Sequence, residues 1–300
     1  MTDLTDDELD RYARHIVLPQ VGGVGQRKLK SASVAIVGAG GIGSAVIPAL
    51  AAAGVRTLTI IDDGEIERSN LQRQTIFRDD QRGEPKAVLA ANYARALNPH
   101  VNALPIEKRL DGSNVEALVA GHNLILDGSD NFATRLTVSD TATRLRIPLV
   151  SAAAVQFQGQ VGLFRGWEAD KPCYRCFVGD AFDTDDCDTC AEQGVLGALA
   201  ATVGSFAALM AIRALAQIGE DVAGNLFLFD GLALDWRKIR IPKDRGCKAC
   251  GLAFFFLLKA FFFAGAFPAR SSINRTASSN VTSLGSMPFG KVALVVPSVT

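Results

Sequence analysis

Ser33–Asp62 reads SVAIVGAGGIGSAVIPALAAAGVRTLTIID, and the reading of this stretch decides the fold. Val34–Val37 is an apolar strand that runs into Gly38-Ala39-Gly40-Gly41-Ile42-Gly43. A helix of small residues follows, then a β-branched strand, Thr57–Ile61, that ends on Asp62. A G-x-G-x-x-G turn between strand and helix is the fingerprint of a dinucleotide-binding βαβ unit. In that reading Gly38 permits the tight turn, and Gly40 and Gly41 let backbone N–H groups approach phosphate oxygens. Gly43 lets the helix pack closely on the strand. The helix N-terminus offers unpaired N–H groups to an anion, and Asp62 stands where an acid suits ribose hydroxyls. The stretch predicts nucleotide binding without choosing the nucleotide or the reaction.

Working outward, strands and helices alternate. A strand is expected near Asn102–Ile106, a helix near Ser113–Ala120, a strand over Asn123–Asp127, a helix over Phe132–Leu145 and a strand over Pro148–Ala153. Such a series predicts an α/β fold, doubly wound and Rossmann-like, with a mostly parallel sheet. Antiparallel strands near Gln156–Phe164, Leu226–Phe229 and Trp236–Ile241 extend it. The long apolar helix over Gly194–Gly219 has the length of a membrane span. Its wealth of Ala and Gly, and Arg213 inside it, point instead to burial against a sheet or a partner subunit. Near the start, Thr5-Asp6-Asp7-Glu8 is a capping box that opens a helix to about Val17. That helix carries Arg11, Arg14 and His15, which composition alone reads as a solvated face.

The whole-chain figures exclude several classes. With 300 residues, 48% of them hydrophobic, there is material for one large domain or two smaller ones. The formal net charge of zero gives no basic field for nucleic acid and no acidic bias toward disorder. The N-terminal MTDLTDDELDRYARH lacks the apolar core of a secretory signal, so a cytoplasmic location is expected. No G-x-x-x-x-G-K-[ST] is present, which excludes a P-loop ATPase. The apolar run Leu252–Phe267, with seven phenylalanines, is short for a membrane span, and Ala269–Pro288 reads as linker or disorder. Residues 252–300 are therefore a tail to which no chemistry is assigned.

Candidate site residues gather at predicted loops. Asp63–Gln74 is a polar loop past a parallel strand's carboxyl end, where open α/β sheets bind ligands. Arg73 in it offers forked, permanently charged donors for phosphate. Gly83-Glu84-Pro85-Lys86 opens a helix, with Pro85 suited to its first turn. Lys86 thus stands at a helix N-terminus, an unfavourable place for a cation that hints at an anion nearby. Asp127-Gly128-Ser129-Asp130-Asn131 again sets acids at a strand's carboxyl end.

All six cysteines fall in C-x-x-C pairs: Cys173/Cys176, Cys187/Cys190 and Cys247/Cys250. Without a signal peptide that spacing favours metal or redox chemistry over disulfides. Two such pairs supply the four thiolates of a tetrahedral zinc site. Cys173 and Cys247 follow Pro and Gly turns, as ligand knuckles do, whereas Cys187 and Cys190 lie among aspartates that raise a thiol pKa. Zinc is therefore assigned to the outer two pairs, and the middle pair is read as an exposed dithiol.

A plain NAD-dependent oxidoreductase accounts for the glycines and Asp62 but leaves Asn70–Arg73, Lys86, Asp130 and the cysteines without roles. The full set, RYARHI, GAGGIGS, Asp62, SNLQRQ, GEPKA, DGSDN, PCYRC, TCAEQGV and CKAC, resembles the ThiF/MoeB/HesA adenylyltransferases, bacterial relatives of ubiquitin-activating enzymes. The resemblance covers about Thr5–Gly251, so residues 1–251 are expected to form the adenylyltransferase domain. It implies ATP-dependent adenylation of the C-terminal Gly-Gly carboxylate of a ubiquitin-like sulfur carrier, for molybdopterin or thiamine biosynthesis, with a lean to molybdopterin. Alternatives within the family are tRNA thiolation or a peptide natural product. The resemblance assigns Arg73 and Lys86 to the phosphates, Asp130 to magnesium with Asn131 beside it, and Asp62 to the ribose. Ser69, Asn70, Leu71 and Gln72 fall in the matching nucleotide loop. Arg14 matches an arginine inserted into the partner subunit's site, which implies a homodimer. Cys190 matches a cysteine linked to the carrier by thioester or persulfide, although the extra Cys187 departs from the pattern. The tail is too short for the sulfurtransferase domain of some relatives, which implies a separate sulfur donor.

Overall fold

Strands form where unbroken apolar runs can be buried on both faces, which is the signature of parallel pairing beneath helices. The computed structural model describes residues 3–179 and 193–251. Its elements in chain order are α1 (Asp6–Arg11), α2 (Ala13–Ile16), α3 (Gly22–Lys30), β1 (Ser33–Val37), α4 (Gly43–Ala52), β2 (Thr57–Ile61), α5 (Lys86–Leu97) and β3 (Asn102–Ile106). They continue with α6 (Val115–Val119), β4 (Leu124–Asp127), α7 (Phe132–Leu145), β5 (Leu149–Val155), β6 (Gln158–Phe164), α8 (Tyr174–Val178), α9 (Gly197–Ala216), β7 (Asn225–Asp230) and β8 (Asp235–Arg240).

The strands make one eight-stranded sheet in the order β3-β2-β1-β4-β5-β6-β7-β8. Pairings from β3 through β5 are parallel, and β5-β6, β6-β7 and β7-β8 are antiparallel. The expected mostly parallel sheet with an antiparallel extension is thus present. Strand alternation divides the core. Val34, Ile36, Leu58 and Ile60 face α4, α5 and α9, whereas Ala35, Val37 and Ile125 face α6, α7 and α8. Among the described residues only α9 is long and apolar enough to cross a membrane, and it packs on α4, β5 and β6. Val203, Gly204, Ala207 and Ala211 of α9 are buried, and its small residues are what allow this close approach.

Two expectations change at the N-terminus. The single helix to Val17 is two helices, because Tyr12 leaves helical geometry and buries its ring against Gly54. Its hydroxyl accepts a hydrogen bond from Asn98 Nδ2 at 2.8 Å. Helix α3 is an element the sequence reading lacks, since Gly22, Gly23 and Gly25 depress local helix propensity. Pro85, expected inside the first turn of α5, instead caps it from one position earlier.

The capping box is formed: Thr5 N–H donates to Glu8 Oε2 at 2.8 Å and Glu8 N–H to Thr5 Oγ1 at 3.3 Å. Lys30 Nζ lies 2.6 Å from the same Glu8 oxygen. Burial pushes the Glu8 carboxyl up, but the Lys30 ammonium and the Thr5 donors outweigh it and hold the group below its ordinary value. A carboxyl with a lowered folded pKa stabilises above its unfolded pKa of about 4.3 and loses that contribution as pH falls through the lower folded value. Glu8→Gln is expected to cost roughly 2 kcal/mol at neutral pH. Urea unfolding should show that difference shrink as pH falls below about 4.3, whereas a difference that is the same at every acid pH would exclude the charge as its source.

Candidate active site

The glycine loop forms because no side chain fits it. Gly38 has φ of 92°, a conformation L-residues rarely adopt, and a Cβ on it would lie 3.2 Å from the Gly128 carbonyl oxygen. A Cβ on Gly43 would lie 2.3 Å from the Gly38 carbonyl oxygen, a clash of backbone with no flexible atom to give way. Gly43→Ala should therefore destabilise the protein by about 3 kcal/mol or more. A thermal unfolding midpoint equal to the wild type's would refute this packing.

Three loops from the carboxyl ends of β1, β2 and β4 meet here. The Asp62 carboxylate ties two of them: Oδ2 accepts the Ala39 N–H at 2.7 Å and Oδ1 the Gly64 N–H at 2.8 Å. Lys86 reaches the same place from the first turn of α5, its backbone N–H bonding Gly64 O at 3.0 Å. The position of a Cβ on Gly64 lies 3.1 Å from both Asp62 Oδ1 and Lys86 Nζ. No carboxylate forms an ion pair with Lys86 among the described residues, which leaves a half-buried cation at a helix N-terminus. Arg73 comes from the other side. Its Nη1 donates to Ser69 O at 2.9 Å, and its Cγ lies 3.4 Å from the position of a Cβ on Gly41.

The polar loop is folded tightly enough to aim these groups. The Asn70 carbonyl accepts the N–H of Arg73 at 3.1 Å and of Gln74 at 2.9 Å. Asn70 Oδ1 accepts the Glu67 N–H at 3.3 Å, and Ser69 Oγ donates to Glu67 Oε2 at 3.3 Å. Leu71 packs on the core, and Gln72 meets the start of α9, where a Cβ on Gly197 would lie 2.1 Å from Gln72 O. Gln74, the last residue of the SNLQRQ run, is buried behind Gly40, and its Oε1 has no partner among the described residues.

Asp130 is exposed and in no ion pair among the described residues. Its loop sits on the glycine loop through Gly128. Asn131 caps α7, with Oδ1 accepting the Thr134 N–H at 2.8 Å, so its oxygen has a structural use and its amide nitrogen remains for other contacts. The structure thus brings Gly38, Gly40, Gly41, Gly43, Asp62, Ser69, Asn70, Gln72, Arg73, Lys86, Asp130 and Asn131 to the carboxyl ends of the parallel strands.

Arg14 is elsewhere. It is exposed on α2, which is held at the opposite end of the sheet. Tyr12 docks on Asn98, just past α5, and His15 Nδ1 meets Gln26 Oε1 at 3.1 Å. Gln26 Nε2 in turn donates to Ala53 O at 2.9 Å, just past α4. These anchors precede β2 and β3 and so mark the strands' amino ends. Arg14 makes no hydrogen bond or ion pair within the chain among the described residues.

The outer cysteine pairs converge. Cys173 Sγ lies 3.8 Å from Cys176 Sγ and 3.6 Å from Cys247 Sγ, and Cys176 Sγ lies 3.3 Å from Cys250 Sγ. All four sulfurs fall within 4.8 Å of one another. A zinc ion with Zn–S bonds of about 2.3 Å needs a sulfur tetrahedron with edges of about 3.8 Å, so the donor set fits. Asp244 N–H points at Cys176 Sγ at 3.5 Å, an outer contact of the kind that steadies a thiolate. Contacts with the other three thiols and burial push Cys173 far up, and the same crowd pushes Cys247 down to about 6. A shared cation would relieve that conflict by taking all four as thiolates. Cys187 and Cys190 lie outside the described residues. Cys173→Ser should release about one zinc per chain, measured by inductively coupled plasma mass spectrometry, and Cys187→Ser should not. The reverse pattern would overturn the pairing.

The sequence profile of the ThiF family matches residues 12–249. The chain belongs to the ThiF family. This ThiF-family chain is 43% identical over 244 residues to the SAMP-activating enzyme E1 of Haloferax volcanii, covering 81% of this chain and 89% of that protein. It is 42% identical over 250 residues to the sulfur carrier protein adenylyltransferase of Thermus thermophilus, covering 82% and 92%. It is 37% identical over 251 residues to the molybdopterin-synthase adenylyltransferase of Salmonella typhimurium, covering 84% and 100%. Among solved structures it shares the fold of Escherichia coli MccB with ATP, with a TM-score of 0.72 at 21% identity over 82% of this chain and 75% of that one.

Proposed function

We propose that this ThiF-family chain adenylates the C-terminal Gly-Gly carboxylate of a ubiquitin-like sulfur carrier with ATP. The observation that carries the reading is the convergence of Lys86, which has no ion pair among the described residues, Arg73 and Asp130 on a glycine loop tied down by Asp62. The relatives named as carrier adenylyltransferases support it.

The reaction joins two anions. A carboxylate oxygen attacks the α-phosphorus, a C–O–P bond forms, and the bond to the β-phosphate oxygen breaks as pyrophosphate leaves. Repulsion between carboxylate and phosphates opposes approach, so fixed cations aimed at the developing charge supply most of the catalysis. Lys86 and Arg73 are cations of this chain at that place, and just before α4 the N–H groups of Gly40, Gly41 and Ile42 take no hydrogen bond among the described residues. Asp62 holds the ribose. Asp130 would hold a magnesium ion, which would supply positive charge to offset that of the phosphates; an exposed carboxylate free of ion pairs among the described residues suits this hard cation. Zinc would sit on Cys173, Cys176, Cys247 and Cys250 as a structural clamp. Arg14 stands at the far end of its own sheet, which supports a homodimer in which it serves the partner's site. Cys190 is proposed to attack the carrier acyl-adenylate, forming a thioester as AMP leaves, or, once charged with sulfane sulfur by a separate donor protein, to attack through its outer persulfide sulfur and form an acyl disulfide as AMP leaves.

Incubation with ATP, magnesium and a Gly-Gly-ended carrier should give a carrier heavier by one AMP in intact-mass spectra. An unmodified carrier under conditions where ATP is bound would argue for another acceptor in the same family.

A further inference from the structure

Asp130 is exposed, yet every polar group of the residue before it is hydrogen-bonded. Ser129 N–H donates to Asp127 Oδ1 at 2.9 Å and Ser129 Oγ donates to the same oxygen at 2.7 Å. The Ser129 carbonyl accepts from Arg135 Nη2. All three polar groups of Ser129 are thereby gripped from below. Both grips are buried: Asp127 is 0% and Arg135 5% exposed. Arg135 is itself fixed to β5, with Nη1 donating to Ser151 Oγ at 3.0 Å and Nη2 to Ala152 O at 2.9 Å. On the far side of Asp130, Asn131 is locked as the cap of α7. The backbone of Asp130 is suspended between two fixed residues.

A buried guanidinium is expensive to desolvate, and packing alone would be served better by an apolar residue. The bland account is that Arg135 joins α7 to β5. That account gives no reason for its third bond to reach into the loop at Ser129. We propose that Arg135 is the positioning residue for Asp130: by clamping the Ser129 carbonyl to β5 it fixes where the Asp130 carboxylate meets the metal of a bound magnesium nucleotide. The inference rests on the reading of Asp130 as the magnesium-holding acid. Arg135 touches neither ATP nor metal in this account. It acts through the loop, as partners of metal ligands generally do, and losing such a partner typically costs 10- to 100-fold in metal affinity.

The test measures ATP binding by isothermal titration calorimetry with and without Mg2+, in the full chain. The quantity read is the factor by which Mg2+ tightens ATP. Asp130→Ala should abolish that factor. Arg135→Gln should reduce it by about 10-fold, with metal-free ATP affinity unchanged. Arg135→Lys keeps the buried charge and one bond, so it should reduce the factor less, by about threefold. A purely structural Arg135 would lower the unfolding midpoint and leave the Mg2+ factor at its wild-type value; that result overturns the proposal. If Arg135→Gln does not fold, an unchanged factor in Arg135→Lys overturns it equally. An unchanged factor in Asp130→Ala would refute the reading of Asp130 itself, and is thus distinguishable from a failure confined to Arg135.

Discussion

Asp130→Ala will lower carrier-dependent ATP–pyrophosphate exchange by about a thousandfold, the scale set by loss of a charge-stabilising group in a closed site. The fold should survive, because Asp130 is exposed and no ion pair within the described chain depends on it. Its neighbours keep their anchors: Ser129 on Asp127 and Asn131 on Thr134. The loss would therefore appear in exchange rate while the thermal midpoint stays near the wild type's. Asp130→Asn should fall between, since the amide keeps one oxygen donor and loses the charge. Exchange within tenfold of the wild-type rate in the alanine variant would remove Asp130 from the mechanism.

Arg14→Ala and Arg73→Ala will each lose about a thousandfold or more, the range for an arginine supplied to a phosphoryl transition state. Mixed in equal amounts and allowed to exchange subunits, the two inactive proteins should recover about a quarter of wild-type activity in a symmetric dimer. The reasoning is geometric. Arg73 sits at the carboxyl ends of the strands against Gly41, while α2 is pinned at the amino ends by Tyr12 on Asn98 and Gln26 on Ala53. A side chain cannot span the sheet, so the proposed role of Arg14 requires it to reach a nucleotide held by another subunit. In a mixed dimer one of the two sites combines intact Arg73 with intact Arg14 from across the interface. The other has neither. No recovery in a mixture shown to contain mixed dimers would place Arg14 in its own subunit's chemistry or outside it.

Much of the fold was legible because parallel, doubly covered strands leave unmistakable apolar runs: Val34–Val37 and Thr57–Ile61 need no partner information to be recognised. Helix α7 was legible because Phe132–Leu145 continues the alternation of strands and helices. Helix α3 was not, since glycines carry its first turns and docking on α9 and α2 stabilises it. The break at Tyr12 was equally hidden, because a cavity formed by Gly54 and Asn98, distant in sequence, decides it. The same divide holds at the site. Lys86 announced itself by standing at the wrong end of a helix for a cation. Arg135 gave no local sign beyond lying four residues after Asn131. Its role depends on a bond to Ser151 and Ala152, which only the parallel register of β4 and β5 brings within reach. The cysteines show the intermediate case: spacing supplied candidates and turn residues chose among them, but the tetrahedral convergence is a property of the folded chain.

The most direct test of the central claim is exchange of labelled pyrophosphate into ATP with Mg2+ and a ubiquitin-like carrier ending in Gly-Gly. The account predicts exchange that requires the carrier and vanishes when its terminal glycine is removed. Exchange indifferent to the carrier, or none with any Gly-Gly-ended carrier, would contradict it.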